Sequence, residues 1–148
     1  MHAKTALLLS SIAALTFSCG GPFLVLPGGA LNGTPAAAPG NWAFTRDVST
    51  VQLESNPADP YSVNIWAVGM DAAIYVHAGA SRSTWVENME ADANVRLQVE
   101  STVYDLRAER VEAQEEFDRF SAAYEEKYGS PPRNPNVDEA YLFRLGPR

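Results

Sequence analysis

The loop 77–84 holds the side chains of this sequence that are best suited to bind an anionic group. Its imidazole, guanidinium and hydroxyl groups belong to His77, Ser81, Arg82, Ser83 and Thr84. A bound phosphate needs a cationic group, hydroxyl donors and the N–H groups at the start of a helix, and this loop and the helix predicted after it supply all three. The loop is therefore a candidate phosphate site.

The same residues also fit an ordinary helix start that needs no ligand. Ser83 stands where a helix N-cap is expected, and Glu87 falls in the first turns of the helix. Trp85 fits a core anchor of this short helix as well as a side chain that closes over a ligand. The residue types leave both interpretations open.

Metal and hydrolase chemistry have little support in this sequence. His77 is the only histidine after His2, and Cys19 is the only cysteine, so two-histidine and cysteine-based zinc sites cannot be assembled within the chain. Ser81 and Ser83 lie near His77, but no Gly-x-Ser-x-Gly turn presents either hydroxyl as a nucleophile. We therefore expect no metal site, and we assign no catalytic residue.

Cys19 marks the end of a segment that has the layout of an export signal. Residues 1–18 contain Lys4, an apolar run over 6–15 and a boundary of mostly small residues before the cysteine. The apolar run is shorter than the ~20 residues that a membrane-spanning helix needs. An ordinary cleaved signal peptide and an uncleaved anchor are the alternatives to lipid attachment at the cysteine.

This boundary resembles the bacterial lipobox, in which the cysteine is acylated and becomes the first residue of the mature protein. The resemblance implies a palmitate-bearing lipoprotein of the bacterial cell envelope, whose domain lies outside the cytoplasm and contacts the membrane through lipid on Cys19. Removing residues 1–18 takes away Lys4 and no acidic residue, so the net charge changes from −7 to −8. This acidity disfavours nucleic acid as a partner.

The rest of the chain reads as a tether followed by one domain. Residues 19–41 are rich in Gly, Pro and Ala, which is typical of a tether, although its apolar stretch 23–26 indicates that part of it docks on the domain. Residues 42–148 form the predicted domain, a single-domain size. Its predicted strands cover 48–54, 61–68, 72–77, 95–99, 102–111 and 141–145.

Two predicted helices interrupt the strands. One is short and covers 83–91, and the other is long and covers 112–128, ending at Gly129 before two prolines. The long helix carries an aromatic stripe at spacings of three and four, formed by Phe117, Phe120, Tyr124 and Tyr128. Such a stripe is more typical of core packing than of a ligand site. These elements indicate a mainly β, α+β fold.

Four segments of the domain resemble one protein family. They are 60–66 (PYSVNIW), 74–77 (IYVH), 81–89 (SRSTWVENM) and 94–97 (NVRL). Their residues and order resemble the flavin-binding split β-barrel family of pyridoxamine 5′-phosphate oxidase and the deazaflavin-dependent nitroreductases. The resemblance implies a six-stranded antiparallel split β-barrel with one short and one long helix, which forms a homodimer.

The resemblance also implies a cofactor, FMN or a related flavin. Its phosphate would be held by the loop 77–84, and its ring would pack on Trp66 and Trp85. Two hypotheses follow. In the first, the protein is a membrane-tethered flavin-dependent oxidoreductase acting on a small molecule. In the second, it binds no cofactor and serves as a binding or structural module of the envelope.

Overall fold

The structure is a computed structural model that describes residues 26–148. The predicted signal 1–18 and the predicted lipidation site Cys19 lie outside the described residues. Within 26–148, no helix combines the length and the apolar character that crossing a membrane requires.

One antiparallel sheet dominates the fold. Its strands are β1 (Thr34–Ala36), β2 (Val51–Ser55), β3 (Tyr61–Ile65), β4 (Ala67–Met70), β5 (Ala73–His77), β6 (Asn94–Val99), β7 (Thr102–Arg110) and β8 (Leu142–Pro147). The strand order is β3-β2-β6-β7-β8-β5-β4, and β1 pairs in parallel with β7 outside this path. Only Trp66 separates β3 from β4, so the two ends of the sheet path lie next to each other and the sheet must curl into a half-barrel.

The prediction of six strands is wrong in number, for two reasons. The predicted strand 61–68 divides at Trp66, because β3 pairs with β2 whereas β4 pairs with β5. The additional strand β1 has three exposed residues and no apolar alternation, so its sequence carries no strand signal. The mainly β, α+β class with one short and one long helix is confirmed.

The two helices agree closely with their predictions. Helix α1 covers Thr84–Ala91 and helix α2 covers Gln114–Tyr128, and two short 3-10 helices cover Ala43–Asp47 and Val137–Glu139. Helix α2 begins two residues later than predicted, because the Val111 N–H still donates to the Leu142 carbonyl. Its predicted end at Gly129 is confirmed, with that glycine in the left-handed conformation at φ 82°.

The core has two parts, one inside the curled sheet and one between the sheet and α2. The first is formed around fully buried side chains that include Trp42, Leu53, Ile74 and Leu97. The second contains Phe117 and Phe120 of α2, which confirms the packing role of these two residues. Burial and the neighbouring Glu116 carboxylate raise the pKa of Tyr75 to about 12, and its hydroxyl donates to Glu116 at 2.8 Å.

Part of the predicted tether packs on the sheet. Gly28 and Ser62 exchange two backbone hydrogen bonds of 2.9 Å, and Leu31 is buried. The Leu31 N–H donates to the buried carboxylate of Glu54 at 2.6 Å, and Arg96 donates to the same carboxylate at 3.1 Å. The chain therefore already contacts the barrel before residue 42, the residue at which the domain was predicted to begin.

Candidate functional site

An open groove of about 770 Å³ lies where β3 passes into β4. We call it the Trp66 groove. Its lining residues come from the ends of four strands, from the connections next to them and from α2. They are Thr50, Val51, Gln52, Asn64, Ile65, Trp66, His77, Gln98, Glu100 and Tyr124.

Trp66 is the most exposed aromatic residue of this groove. Its side chain is 51% exposed, because the residue stands in the break between the two strands rather than inside a ladder. Its ring stacks on Tyr128 with centroids 4.5 Å apart and an interplanar angle of 8°. The Tyr128 hydroxyl contacts Ala67 and Ser49 through backbone hydrogen bonds of 3.0–3.1 Å, which hold the ring in place. One face of the exposed Trp66 indole is therefore held by the Tyr128 ring.

His77 forms the inner end of the groove. It is the last residue of β5, and the pairing of Ala67 with Val76 places it beside Trp66. Its ring lies 5.6 Å from the Phe120 ring and 6.1 Å from the Tyr124 ring. Burial lowers the pKa of His77 below its usual value, so the imidazole is neutral at pH 7. Its Nε2 is buried and has no hydrogen-bond partner in residues 26–148.

The remaining wall is polar but not cationic. It carries amide groups, a threonine hydroxyl and the Glu100 carboxylate, and none of the described lining residues is Lys or Arg. The Gln98 amide donates to the Glu100 carbonyl at 2.9 Å. Amide and hydroxyl groups can donate to and accept from a neutral heteroaromatic edge, whereas a carboxylate repels an anion. The part of the chain that the structure describes contains no group of His, Cys, Asp and Glu side chains that could hold a metal ion.

The loop 77–84 is arranged differently from what a phosphate site requires. The Arg82 guanidinium donates twice to Glu90, at 3.0 and 2.6 Å, and lies 3.7 Å from Glu87. One cation beside two carboxylates leaves a local net charge of −1. A phosphate dianion would have to displace these carboxylates and approach them, so the loop does not fit the phosphate of a flavin.

Ser83 holds the N-cap position of α1 but its side chain does not cap the helix. Its carbonyl accepts the Val86 and Glu87 N–H groups at 2.9 and 3.1 Å, while its hydroxyl is buried and has no partner among the described residues. The prediction of capping is therefore correct for the position and wrong for the hydroxyl. Trp85 is 7% exposed and packs edge-to-face on Phe143, with ring centroids 6.2 Å apart. This agrees with the interpretation of Trp85 as a core anchor of the helix.

The seven residues predicted to bind a cofactor do not meet in one place. Trp66 and His77 line the groove, whereas Ser81, Arg82, Ser83 and Thr84 are absent from its lining and Trp85 lies in the core. Tyr124 was assigned to core packing, yet it also lines the groove. The change from Phe117 and Phe120 to Tyr124 and Tyr128 along α2 is the signal that was missed, because a hydroxyl indicates the end of the stripe nearer to solvent.

Solved structures with the same arrangement of strands and helices are numerous at low sequence identity. A candidate pyridoxamine 5′-phosphate oxidase from Listeria innocua is 11% identical and matches over 68% of this chain and 84% of its own, with a TM-score of 0.54. The heme storage protein HutZ from Vibrio cholerae is 20% identical over 71% and 85% of the two chains, with a TM-score of 0.55.

An FAD-binding protein from Mesorhizobium loti is 15% identical over 71% of this chain and 85% of its own, with a TM-score of 0.51. The chain has the split β-barrel fold. This split barrel agrees with the resemblance that the segments 60–66, 74–77, 81–89 and 94–97 carry, although the sequence matches no protein-family model and no curated protein. In the split barrel, the Trp66 groove lies at the opening between the first and last strands of the sheet path.

Proposed function

We propose that this protein is an exported split-barrel protein that binds a small planar aromatic molecule in the Trp66 groove. The observation that carries the proposal is the exposed Trp66 ring, which Tyr128 already holds parallel to itself at the edge of an open groove. A large aromatic side chain fixed in this way loses little conformational freedom when a second ring stacks on it. The wall of the groove adds amide and hydroxyl groups beside this ring.

The matched structures support this class of ligand. One is described as a heme storage protein and another as an FAD-binding protein, and heme and FAD both contain large planar ring systems. A flavin ring belongs to the class that we propose. Arg82 is paired with Glu87 and Glu90, which is unfavourable for binding the phosphate of a flavin at the loop 77–84. We therefore favour a binding module over a flavin oxidoreductase that holds its cofactor through the phosphate. The redox role stays a prediction.

Riboflavin should stabilise the protein and quench its fluorescence, because its isoalloxazine ring stacks on Trp66. Trp66 is the exposed one of the three tryptophans, since Trp42 and Trp85 are 0% and 7% exposed. At a riboflavin concentration of ~100 times the dissociation constant, the free energy of unfolding should rise by about 2.7 kcal/mol. Thermal unfolding and a fluorescence titration measure the two effects.

Trp66→Ala should remove the stabilisation by riboflavin. The matched control is Phe44→Ala, because Phe44 is also 51% exposed but lies outside the groove and stacks on Trp42. The control should keep the response of the unchanged protein. A stabilisation that survives Trp66→Ala, or that disappears equally in both variants, would show that the groove is not the binding site.

We further propose that the split barrel is held on a bacterial membrane through lipid on Cys19. In a bacterial host, the full chain should be labelled by a palmitate analogue and should enter the detergent phase on phase separation. Cys19→Ala should abolish both, because no other cysteine is present to carry the lipid. An unlabelled full chain that stays in the aqueous phase would contradict the proposal. The homodimer that the resemblance implies stays a prediction.

A further inference from the structure

We propose that the Trp66 groove selects planar aromatic molecules that carry no phosphate over the same ring systems that carry one. The inference rests on the proposed ring binding and names the class of ligand more narrowly. It comes from the charges around the groove rather than from its shape.

The charged groups of the groove are unfavourable for an anion. Glu100 is the only ionised side chain among the described lining residues, and it is negative. It occupies the turn between β6 and β7, with φ 54°. His77 adds no positive charge at pH 7, because its burial favours the neutral imidazole.

The cations of nearby elements are engaged away from the groove. The Lys127 ammonium lies 5.2 Å from the Tyr128 ring, but it donates to the carbonyls of Thr45 and Ala67 at 2.8 and 2.7 Å and does not line the groove. Arg82 is held by Glu90 and Glu87. Neither cation can reach a phosphate in the groove without leaving its present partners.

The charge of the whole chain acts in the same direction. A net charge of −7 at pH 7 lowers the local concentration of a dianion and slows its approach. A neutral ring experiences neither this repulsion nor that of Glu100. The groove and the chain around it therefore discriminate by charge, while the ring contacts with Trp66 and Tyr124 are the same for both kinds of ligand.

Riboflavin and FMN test this inference, because they share one ring system and differ only in the phosphate. Titrations of each ligand at low and high salt, followed by the tryptophan fluorescence of the protein, give the dissociation constants of both ligands at each salt concentration. We expect riboflavin to bind roughly tenfold more tightly at low salt, since two negative charges placed about 6 Å from a carboxylate in water are repelled to this extent. High salt should reduce the difference.

Two variants separate the groove from the loop. Glu100→Gln keeps the shape of the turn and removes the negative charge, so it should narrow the difference between the ligands several-fold by improving FMN binding. Arg82→Ala should leave both dissociation constants unchanged. Equal or tighter binding of FMN by the unchanged protein, or a loss of FMN binding in Arg82→Ala, would overturn the inference while leaving ring binding intact. Failure of both ligands to bind would overturn the proposed function as well.

Discussion

Replacing Gly69 by alanine should lower the free energy of unfolding by about 3 kcal/mol. A Cβ at this position of β4 would lie 2.5 Å from the Trp42 carbonyl oxygen and 2.6 Å from the Trp42 Cβ. Neither atom belongs to the flexible end of a side chain, so the backbone of one element must move. The Trp42 carbonyl also accepts the Thr45 N–H and hydroxyl at 3.0 and 2.7 Å, and these bonds would be strained.

Gly146→Ala is the matched control for this substitution. Gly146 lies in β8, and a Cβ there meets no atom within 4 Å, so the free energy of unfolding should stay unchanged or rise slightly. Urea unfolding at one protein concentration measures both variants. A Gly69→Ala protein as stable as the control would mean that the 3-10 helix Ala43–Asp47 is not packed on β4 as the structure shows.

Glu54→Gln should lower the free energy of unfolding by about 3 kcal/mol, which is the scale expected when one partner of a buried ion pair loses its charge. The Glu54 side chain is 5% exposed, and its carboxylate accepts hydrogen bonds from the Leu31 N–H and the Arg96 guanidinium. In the glutamine side chain of this variant one of the two oxygens is replaced by an NH2 group, which is a donor and cannot accept a hydrogen bond from either partner. The part of the tether around Leu31 should also become more sensitive to limited proteolysis, since the hydrogen bond from the Leu31 N–H to residue 54 is weakened.

Glu126→Gln is the control for the buried pair. Glu126 pairs with Arg46 on the surface, where the two side chains are 67% and 70% exposed, and such pairs contribute at most about 1 kcal/mol. The free energy of unfolding of this variant should lie within about 0.5 kcal/mol of that of the unchanged protein. Its tether around Leu31 should stay as resistant to limited proteolysis as in the unchanged protein. Equal effects of the two substitutions would show that the Glu54 carboxylate does not hold the tether around Leu31 on the barrel.

Much of the fold could be predicted because its signals are local. The period of two in Val95, Leu97 and Val99 reflects one buried face of β6, and all three residues are at most 3% exposed. The end of α2 at Gly129 follows from the left-handed conformation that glycine adopts readily. These patterns act over a few residues, so the sequence shows them without knowledge of the tertiary structure.

The candidate site could be predicted only in part. Trp66 and His77 line the groove; Trp66 was predicted through the resemblance to the split β-barrel family, and His77 as the first residue of the loop 77–84. Their meeting with Tyr124 depends on the packing of α2 across the β4–β5 hairpin, almost fifty residues away in the chain. The ion pairs of Arg82 also escaped prediction, since Glu90 approaches it only when α1 has formed and the loop has folded back.

The sequence by itself determined the α+β class, the two helices and the acidic charge, because each depends on residue types and on spacings within one element. The tertiary structure alone decided that the strand 61–68 divides at Trp66 and that the groove opens there. Strand register decides which distant residues become neighbours, and that choice minimises the free energy of the whole core rather than of any one segment. It also left residues 81–84 of the predicted phosphate loop outside the lining of the groove.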